Sequence, residues 1–107
     1  MTNAEFEVAR ATLNAACEDI LLRKGADYSG QGDRLQNFKD VAVACGVDPL
    51  QAWFIFFYKH VSALATYVRT RQLSSEPLPE RFKDARNYSD LGYALSQESD
   101  NLGRRAP

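Results

Sequence analysis

One histidine and two cysteines are all that the sequence holds in soft metal ligands. That is too few for a structural zinc site with four protein ligands. Cys17 and Cys45 sit in apolar surroundings, Ala15-Ala16-Cys17 and Val43-Ala44-Cys45, a setting that predicts two buried, reduced thiols of a reducing cytoplasm. Charge of one sign is missing as well: 13 basic residues stand against 14 acidic ones, for a net charge of -1. The basic excess by which a duplex nucleic-acid binder neutralises phosphates is absent, whereas a small anionic ligand needs only one Arg or Lys in a pocket. Long hydrophobic runs are missing too. The stretch Ala52 to Val68 is interrupted by Lys59 and His60 and is too short to cross ~30 Å of hydrocarbon, so no membrane partner is expected. Glu5 and Glu7 precede any apolar run, unlike the start of a secretory leader. The expected location is the cytoplasm, that of a bacterial host if the chain is phage-encoded.

What remains is an ordinary globular composition, 45% hydrophobic and 25% charged over 107 residues, enough for one domain. The apolar spacing is helical throughout. It predicts an all-α bundle of about four helices, two of them long, central and antiparallel, with residues 1–97 as one domain and 98–107 as a flexible tail. The first helix is expected from Asn3 to Lys24, capped by Thr2 or Asn3. Phe6, Ala9, Leu13, Cys17, Ile20 and Leu21 make its inward stripe, and Gly25 ends it. A polar loop, Gly25 to Asp33, precedes a short helix from Arg34 to Ala44 with Leu35, Phe38, Val41 and Ala42 inward. The third helix starts on Asp48 and Pro49 and runs to about Gln72. Leu50, Trp53, Phe54, Phe57, Val61, Leu64 and Val68 share one face. Phe56, His60, Ala63 and Tyr67 form a strip beside it, and Ile55 lies opposite. A helix apolar on most of its circumference is central or lies at a subunit interface, and both are expected here, hence a homo-oligomer. Pro77 and Pro79 separate it from a fourth helix, Glu80 to Gln97.

Polar residues in the wrong place carry the functional reading. Leu91 and Leu95 mark the buried face of the fourth helix, and counting back along it gives Tyr88 and Asp84, with Arg81 at the edge and Asn87 beside them. A charge under cover is costly unless it is answered. Asp84 therefore either pairs with Arg81 or a neighbouring helix, or faces a polar cavity. Lys59 and His60 are either a solvated face and a core histidine, or contacts to phosphate and base. With the two long helices packed as a hairpin, Lys59 is expected level with Tyr88 to Leu91, about 18 Å from the end of its helix. A pocket using both Lys59 and Asp84 would then need a second subunit. The loop Asp27-Tyr28-Ser29-Gly30-Gln31-Gly32-Asp33-Arg34 lacks the Gly-Lys-Ser/Thr of a phosphate-binding loop. Its glycines let backbone N–H groups approach a phosphate, or serve as a simple connection.

Taken together, Lys24-x-x-Asp27-Tyr28, Arg34-Leu35-x-Asn37-Phe38, Lys59-His60, Glu76 and Arg81-x-x-Asp84-x-x-Asn87-Tyr88-x-x-Leu91 resemble small phage and prophage proteins of the nucleotide-modification-associated type 1 group. The likeness spans Lys24 to Leu95, and its motifs are short. It implies an all-α fold, a phage context, a link to nucleotides, and a candidate polar set of Asp27, Tyr28, Arg34, Asn37, Lys59, His60, Glu76, Arg81, Asp84 and Asn87. The chain also bears comparison with the all-α nucleotide pyrophosphohydrolases, whose Glu-x-x-Glu and Glu-x-x-Asp motifs hold magnesium. It departs from both: Glu5-x-Glu7 and Glu18-Asp19 have the wrong spacing, and Glu80-x-x-x-Asp84 is one residue too long. The leading expectation is a nucleotide-binding protein without turnover and without a cofactor, able to sequester a host signalling or modified nucleotide, and so a candidate anti-defence protein. Tyr28 or Tyr88 would stack on the base, Arg34 or Arg81 would hold phosphate, and Asn87 would read a base edge. The alternatives are a magnesium-dependent hydrolase using Glu76, Glu80 and Asp84, and a non-catalytic protein-interaction module.

Overall fold

The computed structural model describes the backbone of residues 1–29, 32–72 and 76–105, and the side chains of 1–19, 32–72 and 76–98. Four helices follow in order: α1 (Asn3–Ser29), α2 (Gln36–Cys45), α3 (Pro49–Thr70) and α4 (Leu78–Arg105). No strand occurs among the described residues. α3 packs along α4, α2 lies on α3, and α1 lies on the other flank of α4. No single helix among the described residues is long and apolar enough to cross a membrane.

Local chemistry sets the helix ends. At α1, the Thr2 hydroxyl accepts the Glu5 N–H at 3.1 Å and the Glu5 carboxylate accepts the Thr2 N–H at 3.2 Å. This reciprocal cap holds the Glu5 carboxyl below its usual range. Asp33 opens α2 by accepting the Leu35 N–H on its side chain at 2.8 Å and the Gln36 N–H on its carbonyl. α2 closes on Gly46, whose left-handed φ of 70° costs a glycine little. The chain turns through 103° into α3, where Asp48 and Gln51 form a second reciprocal cap and Pro49 fills the first helical position. Arg71 ends α3 with φ 57°.

The core lies where α2, α3 and α4 meet. Leu35, Phe38 and Leu95 are buried there, with Leu50, Trp53, Phe56, Tyr88 and Leu91 packed around them. The Phe38 ring meets Phe56 at 6.0 Å and the edge of Tyr88 at 6.2 Å, separations typical of favourable aromatic pairs. Trp53 fixes the α3–α4 register. Its indole N–H donates to the Tyr88 carbonyl at 2.6 Å, and its ring lies where the Cβ of any larger residue at Gly92 would be. Contacts of Trp53 with Tyr88 and of His60 with Asp84 run in opposite sequence directions, so the two long helices are antiparallel, as expected.

Several sequence expectations are corrected. α1 continues past Lys24 to Ser29. An interior glycine weakens a helix by about 1 kcal/mol but does not by itself end one. The backbone of Asp27 and Tyr28 is therefore helical, while their side chains and that of Lys24 lie outside the described set, as do Gly30 and Gln31 of the loop. α2 starts two residues later than expected, because Asp33 caps through Leu35. α4 begins at Leu78, with Pro79 in its first turn where no N–H is needed, and runs beyond Gln97 to Arg105. The α1 stripe is only partly covered: Cys17 is buried and Leu13 half-buried, but Phe6 and Ala9 are exposed. On α3 the strip Phe56, His60, Ala63 and Tyr67 is half-buried with Trp53, Phe57 and Leu64, whereas Phe54, Val61 and Val68 face outward. α4 meets α3 on one side only, so the wide apolar arc is split. Cys45 is exposed because it ends α2, where the chain turns away.

Candidate functional site

α4 crosses α1 and α3 with different faces, and the candidate site lies between them. Asp84 and Tyr88, one turn apart, face α3. The Asp84 carboxylate is 3.6 Å from Nδ1 of His60, and the His60 and Tyr88 rings are centred 4.5 Å apart. Lys83 and Arg86 face α1: the Lys83 carbonyl lies 4.0 Å from the Cys17 thiol, and the Arg86 guanidinium donates to the Asn14 side chain at 2.9 Å. By helical spacing Asn87 falls between these two faces, and only 5% of it is exposed.

This arrangement overturns the expected register. His60, one residue past Lys59, is level with Asp84 as well as Tyr88. The early start of α4 supplies the extra half-turn. Asp84 therefore faces His60 of α3 within the same chain, and Lys59 is exposed.

The His60–Asp84 distance invites an ion pair, but burial opposes it. Removal from water pushes the imidazole pKa below its ordinary value. The Asp84 charge works against that shift, and the Lys59 and Arg81 cations reinforce it. The uncharged form of the ring is thus favoured. At 3.6 Å the two groups make no hydrogen bond, and His60 Nδ1 is buried without a partner. The same holds for Asn87 Oδ1. Two unanswered polar atoms under cover, one of them beside a carboxylate 18% exposed, are unusual in a folded chain. Cys17 is no nucleophile here: burial pushes its thiol pKa up, so the thiolate is scarce.

The other predicted residues divide clearly. Arg81 is near this cluster and pairs loosely with Glu76, at 4.0 Å. Tyr88 packs its ring between Phe38 and His60, which commits it to the core. Arg34, Asn37 and Lys59 are exposed. Glu80 is held by Lys83 at 2.6 Å, so Glu76, Glu80 and Asp84 each face a different partner. No three His, Cys, Asp or Glu side chains converge as metal ligands among the described residues. A groove of about 480 Å³ lies elsewhere, between Phe6, Ala9, Arg10 and Leu13 of α1 and Arg86 of α4. It contains no predicted site residue. The spacing also gave no sign of the cluster in which Lys39 of α2 bonds Asp33 and Glu98. The Asp33 and then the Glu98 carboxylate raise the Lys39 pKa, and Lys39 in turn lowers that of Asp33.

No family model, no curated protein and no solved structure matches the chain. The likeness to the nucleotide-modification-associated group rests on the residue pattern alone.

Proposed function

We propose that the chain binds a small nucleotide between α3 and α4, at His60, Asp84 and Asn87, and holds it without turnover. The observation that carries this reading is a pair of buried, unanswered atoms: His60 Nδ1, 3.6 Å from the Asp84 carboxylate, and Asn87 Oδ1, on α4 one turn beyond Asp84. With the His60 proton on Nε2, all three are acceptors. They call for a ligand rich in N–H or O–H donors, such as the amino edge of a base or the hydroxyls of a ribose. Arg81 stands one turn before Asp84, near the N-terminus of α4, where the helix end also favours an anion. Its guanidinium lies 4.0 Å from the Glu76 carboxylate and has the fork of N–H donors that suits a phosphate. Cation and acceptors thus succeed one another along α4 over about 9 Å, in the order phosphate, sugar and base.

The separate pairing of Glu76, Glu80 and Asp84 favours binding over magnesium-dependent hydrolysis. Sequestration of a signalling or modified nucleotide is the role consistent with such a site. Calorimetry against mono-, di- and cyclic nucleotides tests the proposal. Binding is expected, weakened at least tenfold by Arg81→Ala and by Asp84→Ala, with the nucleotide recovered intact. No heat with any nucleotide overturns the binding reading. Phosphate or pyrophosphate release that needs magnesium and Asp84 would replace it with the hydrolase.

A further inference from the structure

α3 carries an apolar seam that nothing among the described residues covers. Phe54, Tyr58, Val61, Ala65 and Val68 are all exposed, Phe54 by 54%, Tyr58 by 59% and Val68 by 63%. Their spacing alternates four and three residues, the heptad period of helices that pack along each other. This seam lies on the side of α3 away from His60 and the α4 contact.

The amount of uncovered surface matches a partner of the chain's own kind. The chain exposes 7849 Å², whereas a folded monomer of 12.0 kDa is expected to expose about 6000 Å². The radius of gyration is 16.2 Å, against about 13 Å for a closed domain of this length. The excess of about 1900 Å² is within what one subunit buries in an obligate dimer, where a standard interface takes about 800 Å² per partner. The interior points the same way, since Leu95 is the one large side chain fully buried among the described residues.

We infer that the seam is the interface between two copies of this chain, packed antiparallel about a two-fold axis at Val61. In that arrangement large residues meet small ones: Phe54 faces the partner's Val68, Tyr58 comes within one residue of the level of the partner's Ala65, and the two Val61 side chains meet on the axis. Parallel packing would set Phe54 on Phe54 and Tyr58 on Tyr58. α3 contains no Asp or Glu, only Lys59 and Arg69 as full charges. Parallel copies would align those cations with their own images, whereas antiparallel copies set Arg69 about 24 Å along the helix from the partner's Arg69. The two-fold operation makes the contact self-complementary and closed. Each copy keeps its own His60–Asp84 site, so the dimer stands or falls independently of the nucleotide reading.

The test combines mass with cross-linking. Light scattering on the wild-type chain is expected to give twice the chain mass, and Val61→Glu to halve it while helicity by circular dichroism is kept. In a Cys45→Ser background, Val61→Cys is expected to form a disulfide-linked dimer on mild oxidation. Phe54→Cys alone is expected not to link, and Phe54→Cys with Val68→Cys in one chain to link readily. A wild-type monomer at all concentrations overturns the inference. So does a dimer that survives Val61→Glu, or self-linking of Phe54→Cys without that of Val61→Cys.

Discussion

His60 is the only histidine in the chain, and burial holds its pKa below the unfolded value of about 6.5. Between the two values the unfolded chain binds more protons than the folded one, so stability rises with pH across that window. The contribution is fully present above about pH 6.5. It falls on acidification and levels off below the folded pKa. Urea denaturation between pH 5 and 7 is expected to show this slope, and His60→Gln to remove it; an unchanged slope in the variant contradicts the assignment. Asn87 makes a second prediction. Its buried carbonyl lacks a partner, and such an atom costs about 1–3 kcal/mol. Asn87→Leu is therefore expected to leave the unliganded protein as stable or more stable in urea, and to abolish nucleotide binding in calorimetry. A strong loss of stability would mean that Asn87 is already answered within the fold.

Among the elements, the α3–α4 pair decides where the site lies. Its register depends on the Trp53 indole lying across Gly92 and donating to the Tyr88 carbonyl. Gly92→Ala puts a methyl group into that ring and is expected to cost roughly 1–3 kcal/mol by overpacking. Urea unfolding followed by Trp53 fluorescence measures it, and a neutral result would show that the helices meet differently. Much of this pairing was legible in the sequence. Asp48-Pro49 marked the start of α3, Leu91 and Leu95 marked the inner face of α4, and the polar intrusion at Asp84 and Asn87 followed from their spacing. The register was not legible, because it depends on a linker of unpatterned length and on a glycine that reads as neutral until an indole is placed over it. The end of α1 was misread for a related reason. Gly25 after Arg23-Lys24 has the composition of a helix terminus, but composition does not fix the backbone angle that ends a helix. Cys17 and Cys45 have near-identical apolar neighbours, yet only Cys17 has a helix packed over it.

At the scale of the whole molecule, the chain divides its polar and apolar surplus between two sides of α3. One side brings His60 to Asp84 and, with α4, holds two buried polar atoms without partners, His60 Nδ1 and Asn87 Oδ1. The other presents a bare heptad seam. The circumference of α3 announced both in the sequence, as an excess of apolar residues interrupted by Lys59 and His60. Sequence alone did not tell which strip faced inward, since that depends on where α4 lies. The central claim is that a small molecule from outside the chain answers the buried acceptors. Native mass spectrometry of the protein mixed with nucleotides reads this most directly, because it weighs chain and ligand together. The account predicts one nucleotide-sized addition per chain, retained by the wild type and lost in Asn87→Leu. Bare chains with every nucleotide tried, or an addition that Asn87→Leu keeps in full, would contradict it.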